Sequence, residues 1–173
     1  MVRKVITKKF KEIDLQASFF DSLKRDYREF CEWFRRKAEE EAYVIYNEQQ
    51  DLDAFLYLKT EPEDELDLSI TPRLPEEMRL KIGTLKVAEG GQGNKYGEGL
   101  IKIAFDIARK NNVSYIYVTL FPHHNILIGL LKQMGFERYG IKSTNNGAEE
   151  VYIYFMSRYF DKENPIKSYP YIP

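Results

Sequence analysis

Nothing in the sequence can close a disulfide within the chain, because Cys31 is its single cysteine among 173 residues. A small disulfide-stapled scaffold is therefore excluded, and a reducing, cytoplasmic setting is expected. Long apolar runs are also missing. No segment approaches the roughly 20 apolar residues that a membrane-spanning helix needs. The opening MVRKVITKKF has no apolar stretch of the secretory kind, so a soluble protein with no membrane partner is expected. An excess of one charge is absent too: 26 Lys and Arg stand against 27 Asp and Glu, for a net charge of -1. No global field would draw the chain to nucleic acid, which is not expected as a partner. The two histidines, His123 and His124, are adjacent. With no third His and no nearby Cys to complete a ligand set, no metal is expected, and packing or capping at a helix start competes with a role as base.

What is there is apolar and aromatic. Hydrophobic residues make up 43% of the chain and aromatic ones 14%, enough for one well-buried core and too short a chain for two ordinary domains. One domain over residues 1–157 is expected, with 158–173, polar and punctuated by proline, as a tail or linker. After a β-prone start at Val5 and Ile6, the segment Ser18–Glu41 spaces Phe19, Phe20, Leu23, Tyr27, Phe30, Phe34 and Ala38 by threes and fours. That is the stripe of one bent helix or two short ones, with Ser18 as N-cap. Most of these rings, Trp33 included, belong to a core, with one or two left to face a groove. The run Arg35, Arg36, Lys37 beside Glu39–Glu41 reads as a solvated face.

Tyr43–Tyr46 and Ala54–Lys59 flank a polar stretch and should pair as an antiparallel hairpin. The acidic, proline-containing segment that follows reads as a surface excursion with one short strand at Leu66–Ile70. Arg79–Val87 alternates as a strand with one polar face. A glycine-rich loop, EGGQGNKYGEG, comes next, and then a helix with Leu100, Ile101, Ala104, Phe105, Ile107 and Ala108 on its core face, ending near Asn111 and Asn112. Tyr115–Phe121 is a strand closed by Pro122, and His124–Met134 a helix stopped by Gly135. Phe136–Lys142 and Glu150–Met156 form a hairpin around NNG, where Asn146 and Gly147 tolerate positive φ; its edge could pair between subunits in a homodimer. The fold class is α/β, a twisted mixed sheet of about six to seven strands with flanking helices. Strands Arg79–Val87 and Tyr115–Phe121 should lie parallel, then splay.

A strand, a glycine-rich turn and a helix N-terminus together hold an anion, because free N–H groups and the helix dipole point the same way. Spacing narrows the anion. No Gly-x-x-x-x-Gly-Lys-Ser/Thr string occurs, and Gly91 and Gly93 are followed by Tyr96, with Gly97 one place too late for a dinucleotide fingerprint. ATP and NAD are disfavoured.

In this segment the chain resembles the Gcn5-related N-acetyltransferases (GNAT superfamily), whose signature is a strand ending in Val, then Gln/Arg-x-x-Gly-x-Gly/Ala opening a helix. Val87, Gln92, Gly93, Asn94, Lys95, Tyr96 and Gly97 fall at that spacing, with Lys95 in place of the first glycine of the pair. Downstream come the strand Tyr115–Phe121 and the pair Gly135-Phe136. His124 stands where the family has a cofactor-contacting Asn, and Leu131 where many members have a tyrosine that protonates the departing thiolate. The resemblance runs from about Tyr43 to Met156.

It implies an acetyl-CoA-dependent N-acetyltransferase, acetyl-CoA being the cosubstrate and an amine the acceptor. It also implies cofactor contacts from Leu85, Val87, Gln92, Gly93, Asn94, Lys95, Tyr96, Gly97, Glu98 and His124. No catalytic base is assigned; Glu89, Asp67 and Glu65 are acidic candidates, with Tyr117 and Thr119 beside the expected cleft. Two other readings stand: a degenerate acyl-CoA-binding regulatory module, favoured by Leu131 and Lys95, and a substrate-recognition domain of a longer protein. The acceptor is left open.

Overall fold

The structure is a computed structural model, and it describes residues 4–89 and 93–156. The described residues form eight strands and four α-helices: β1 (Ile6–Lys9), α1 (Asp21–Asp26), α2 (Phe30–Arg36), β2 (Glu41–Tyr46), β3 (Leu52–Glu61), β4 (Ile70–Thr71), β5 (Arg79–Val87), α3 (Gly93–Lys110), β6 (Tyr115–Leu120), α4 (Asn125–Gln133), β7 (Glu137–Thr144) and β8 (Gly147–Phe155). The strands run β1-β2-β3-β5-β6-β8-β7-β4 in one mixed sheet. The architecture is the expected α/β one, with a strand more than the six to seven foreseen. No helix among the described residues is long and apolar enough to cross a membrane. Two compact units cluster along the chain, Met1–Leu58 with Gly83–Leu100, and Lys59–Ile82 with Ile101–Pro173.

The first unit is built on aromatic rings. β1, β2 and β3 pair antiparallel, and EAYVIY and LDAFLYLKTE supply the β-branched and aromatic residues that suit a strand. Their buried face meets α1, α2 and two short 3-10 turns through Phe10, Phe20, Phe34 and Phe55. Phe10 lies 4.8 Å from Phe34, 5.6 Å from Phe55 and 5.3 Å from Tyr57, centroid to centroid, distances at which edge-on and tilted rings attract beyond their area. The expected helices of Ser18–Glu41 are thus two short ones. Ser18 is not the N-cap of α1: it opens a 3-10 turn, Ser18–Phe20, and Phe20 flanks the helix without a side-chain cap. Burial of Phe20 in the ring cluster sets the entry of the chain here.

The second unit is a β-rich layer. β5 and β6 pair in parallel from Arg79↔Tyr115 to Ile82↔Val118, and β8 lies antiparallel between β6 and β7. α3 ends at Lys110, followed by Asn112 at φ 55, and α4 ends before Gly135 at φ 103, where only glycine is free of strain. In the β7–β8 turn Gly147 alone takes positive φ (122), while the N–H of Asn146 donates to Thr144 Oγ1. The strand expected at Leu66–Ile70 is displaced to Ile70–Thr71, and Leu66 and Leu68 are 53% and 70% exposed. Asp67 explains the shift, since its Oδ1 accepts from the N–H and hydroxyl of Ser69 and turns the backbone locally. The tail 158–173 lies outside the described residues.

Candidate active site

In the first unit β5 ends at Val87, and the N–H of Ala88 donates to the Asp53 carbonyl at 2.8 Å, fixing where the strand is left. After the loop, α3 opens at Gly93 and runs for 18 residues. The first four N–H groups of such a helix have no partner within it, and its dipole adds positive potential there. No acidic residue lies in that first turn, so no carboxylate of that turn competes with an incoming anion. Of the residues expected to hold a pyrophosphate, Gln92 lies outside the described residues, and Gly93 and Asn94 form the helix start. Lys95 is exposed, Tyr96 is buried and Glu98 is half-buried. Gly97 is buried within α3, the helix beginning four residues before it.

Leu85 is buried and Val87 half-buried on β5. Between them Lys86 reaches α1, its Nζ donating to Ser22 Oγ at 2.6 Å and lying 5.4 Å from the Phe19 ring centroid. Burial pulls the Lys86 ammonium below the usual lysine range. Two residues before Leu85, Gly83 lies against Tyr57: a Cβ built there would meet Tyr57 Cδ2 at 2.7 Å.

The second unit holds a buried ion pair, Arg79 with Glu61, that the sequence did not single out. Arg79 Nε and the Tyr117 hydroxyl both donate to Glu61 Oε1, each at 2.8 Å. Arg79 also reaches the Glu65 carbonyl. Burial works to raise the Glu61 carboxyl, but the hydrogen bonds from Arg79 and Tyr117 and the charge of Lys81 hold it below the usual carboxylate range. Burial first, and then Glu61, push the Tyr117 phenol well above its ordinary value, so it stays protonated. Burial likewise pushes Tyr115 up to about 12; its hydroxyl donates to the Pro75 carbonyl at 2.7 Å. Thr119 Oγ1 donates to the buried Glu149 at 2.7 Å.

The acidic candidates are thus differently placed. Asp67 pairs with Lys142 (3.4 Å) and Glu65 with Lys59 (3.5 Å), while Glu89, in the first unit, is exposed. Sequence reasoning missed Glu61, Arg79, Glu149 and Lys81; only the polar face of β5 hinted at them. His124 flanks the start of α4, its carbonyl accepting from Ile128, with no side-chain cap. Leu131 is fully buried.

A model of the acetyltransferase (GNAT) family matches residues 7–136. Among solved structures, Arabidopsis thaliana NAA60 in complex with a bisubstrate analogue superposes with a TM-score of 0.61 at 18% identity, covering 88% of this chain and 98% of that one. The same protein in complex with acetyl-CoA gives 0.58 at 19%, over 89% and 99%. An IAA acetyltransferase from Bacillus cereus gives 0.60 at 16%, over 88% and 99%. At these identities the likeness shows the fold. No curated protein matches the sequence. With the family matched over most of its length, the chain belongs to the acetyltransferase (GNAT) family and is an N-acetyltransferase.

Proposed function

We propose that this enzyme transfers the acetyl group of acetyl-CoA to an amine by direct attack of the neutral amine on the thioester carbonyl. The observation that carries the reading is β5 leading through a glycine-rich loop into a long helix whose first turn has no acid, in a chain of this family. In this proposal the pyrophosphate rests on N–H groups of Gln92–Gly97, with Glu98 beside it. The backbone of β5 around Leu85 and Val87 pairs with the pantetheine amides, as a strand adds to a sheet edge. His124 supplies a further contact at the start of α4. Alignment of amine and thioester provides much of the acceleration. The remaining elements of the proposal are a cytoplasmic setting, a single domain over 1–157 and an amine acceptor of unstated class.

Acetyl-CoA is expected to raise the melting temperature, since a ligand that binds only the native state stabilises it by about 2.7 kcal/mol at a hundredfold excess over Kd. Gly97→Asp places a carboxylate against the phosphates. It should weaken acetyl-CoA binding at least about a hundredfold in a calorimetric titration, each ~1.4 kcal/mol being tenfold. Because Gly97 is buried, circular dichroism must accompany that measurement. Lys95→Glu, on an exposed side chain of the same turn, brings negative charge without disturbing packing and should cost about tenfold. Near wild-type affinity in both folded variants would remove the loop as the pyrophosphate site.

A further inference from the structure

Past Ile82, its last pair with β6, β5 runs on from Gly83 to Val87, and this stretch is the one whose backbone is proposed to hold the pantetheine arm. Lys86 lies within it, between Leu85 and Val87. Its half-buried side chain runs to α1, where Nζ donates to Ser22 Oγ at 2.6 Å and lies 5.4 Å from the centroid of the half-buried Phe19 ring. A hydroxyl and a ring leave the cation without a counter-ion: Lys86 has no ion-paired partner among the described residues. Glu89, Asp26 and Asp21 act on it only through space, as Arg25 does with the opposite sign. All of these residues belong to the first unit, together with the start of α3.

The donors point the same way. An ammonium carries three N–H groups, and one of those on Lys86 goes to Ser22. Ser22 Oγ accepts that bond and keeps its own O–H, which has no acceptor among the described residues. Two donors, one of them charged, thus stand side by side on half-buried residues, a pattern that the two oxygens of a carboxylate complete.

We infer that Lys86 and Ser22 take up a carboxylate carried by the acceptor, so that the enzyme selects amines bearing one: a free amino acid, or a peptide with an acidic residue near its N-terminus. This rests on the proposed transfer to an amine. Lys86 is the chain neighbour of both residues at which the thioester arm is proposed to pair, and neighbouring Cα atoms are about 3.8 Å apart. An acceptor anchored here keeps its amine beside that arm, and such alignment gives rate as well as affinity. A polyamine would instead meet Lys86 as a like charge, which selects against it.

The test uses the full chain and amines paired to differ in one charge: glycine with glycinamide, and a peptide beginning Ala-Glu with one beginning Ala-Gln. Turnover is followed by free CoA release. Wild type should favour the acid of a pair, and Lys86→Met should lower the acid-to-amide ratio of kcat/KM about tenfold or more, the worth of a hydrogen bond to a charged group. Lys86→Arg, which keeps a cation, should retain more of the preference, and Ser22→Ala should lose a smaller part of it. Comparing ratios across variants cancels the different basicity of the paired amines. The pair that responds names the source, free amino acid or peptide. Variants that alter the melting temperature but neither ratio would overturn the inference and leave Lys86 as a brace between β5 and α1.

Binding is read without turnover from the Lys86 13Cε resonance, assigned by its loss in Lys86→Arg, with CoA present. Burial comes first among the influences that draw this ammonium below the usual lysine range, and a carboxylate seated on it favours the charged form. N-acetylglycine or the acetylated Ala-Glu peptide should therefore shift the resonance and raise its titration midpoint, and their amide counterparts should not. A resonance indifferent to both acids overturns the inference. A response to either acid with no turnover of any amine supports the carboxylate site and counts against the proposed transfer alone.

Discussion

Arg79 donates from Nε to Glu61 Oε1 at 2.8 Å across a separation of 18 residues, with both residues almost wholly withdrawn from water, at 2% and 4% exposure. Tyr117 of β6 donates to the same oxygen, so three strands share one acceptor atom. Such a pair contributes less by its attraction than by what its loss leaves behind: a charge in the interior with no counter-ion.

Glu61→Leu should therefore destabilise the fold by about 3–5 kcal/mol, and Glu61→Leu with Arg79→Leu should recover part of that loss in denaturant titration. The pH dependence has a definite sign. The Glu61 carboxyl is held below the usual carboxylate range, so its contribution is fully present above the unfolded value of about 4.3 and is lost as pH falls through the lower folded value. The melting temperatures of wild type and Glu61→Gln should converge in that acidic window. A constant gap down to low pH would show that the carboxylate charge is not what stabilises.

Gly83 tests the packing below β5. Its missing side chain leaves room for the Tyr57 ring, which is buried, stands edge-on to Phe10 and is tied through its hydroxyl to Glu40. Because that ring cannot swing aside, Gly83→Ala should cost about 1–3 kcal/mol. Tyr57→Leu in the same chain should make the alanine cheaper, a coupling readable in a double-mutant cycle. An alanine that is neutral in the wild-type background would mean that β5 can shift.

Leu131 occupies the position where many family members carry a tyrosine, and a restored acid there invites the expectation of faster turnover with unchanged folding. Its complete burial alters that. Leu131→Tyr adds volume to a filled site and should lower stability by about 1–3 kcal/mol, with Leu131→Met as the volume-conserving control. If the tyrosine variant melts with wild type, the site has room for a phenol and the original expectation returns.

The parts of the fold that were legible in the sequence are those whose cause is local. RLKIGTLKV alternates and stops at a loop, and β5 has the bounds Arg79–Val87 read from it. Gly135 and Asn112 mark helix ends because a positive φ is a property of one residue. Leu66–Ile70 misled because its apolar residues look like a strand, while the Asp67–Ser69 turn decides the backbone. Of the candidate site, the succession of strand and helix was legible from periodicity, but the helix start was not: the glycine-rich segment read as a loop up to Gly99 is already helix from Gly93. Glu61, Arg79 and Lys81 were not, since each gains meaning only from neighbours brought in by strand pairing: Tyr117 is 56 positions from Glu61. Gly97 was found in the motif, but its burial depends on where α3 begins.

The short strand β4 governs how this sheet can grow. Ile70 and Thr71 pair with Lys142 and Ile141 of β7, the next residue, Pro72, has no N–H to offer, and a side chain on Gly140 would run into the Thr71 carbonyl. A second molecule adding a strand to β7 would first have to wait for β4 to leave. Association through this edge would therefore begin with a unimolecular opening, and at high protein concentration its rate would level off at the rate of that opening instead of rising with concentration.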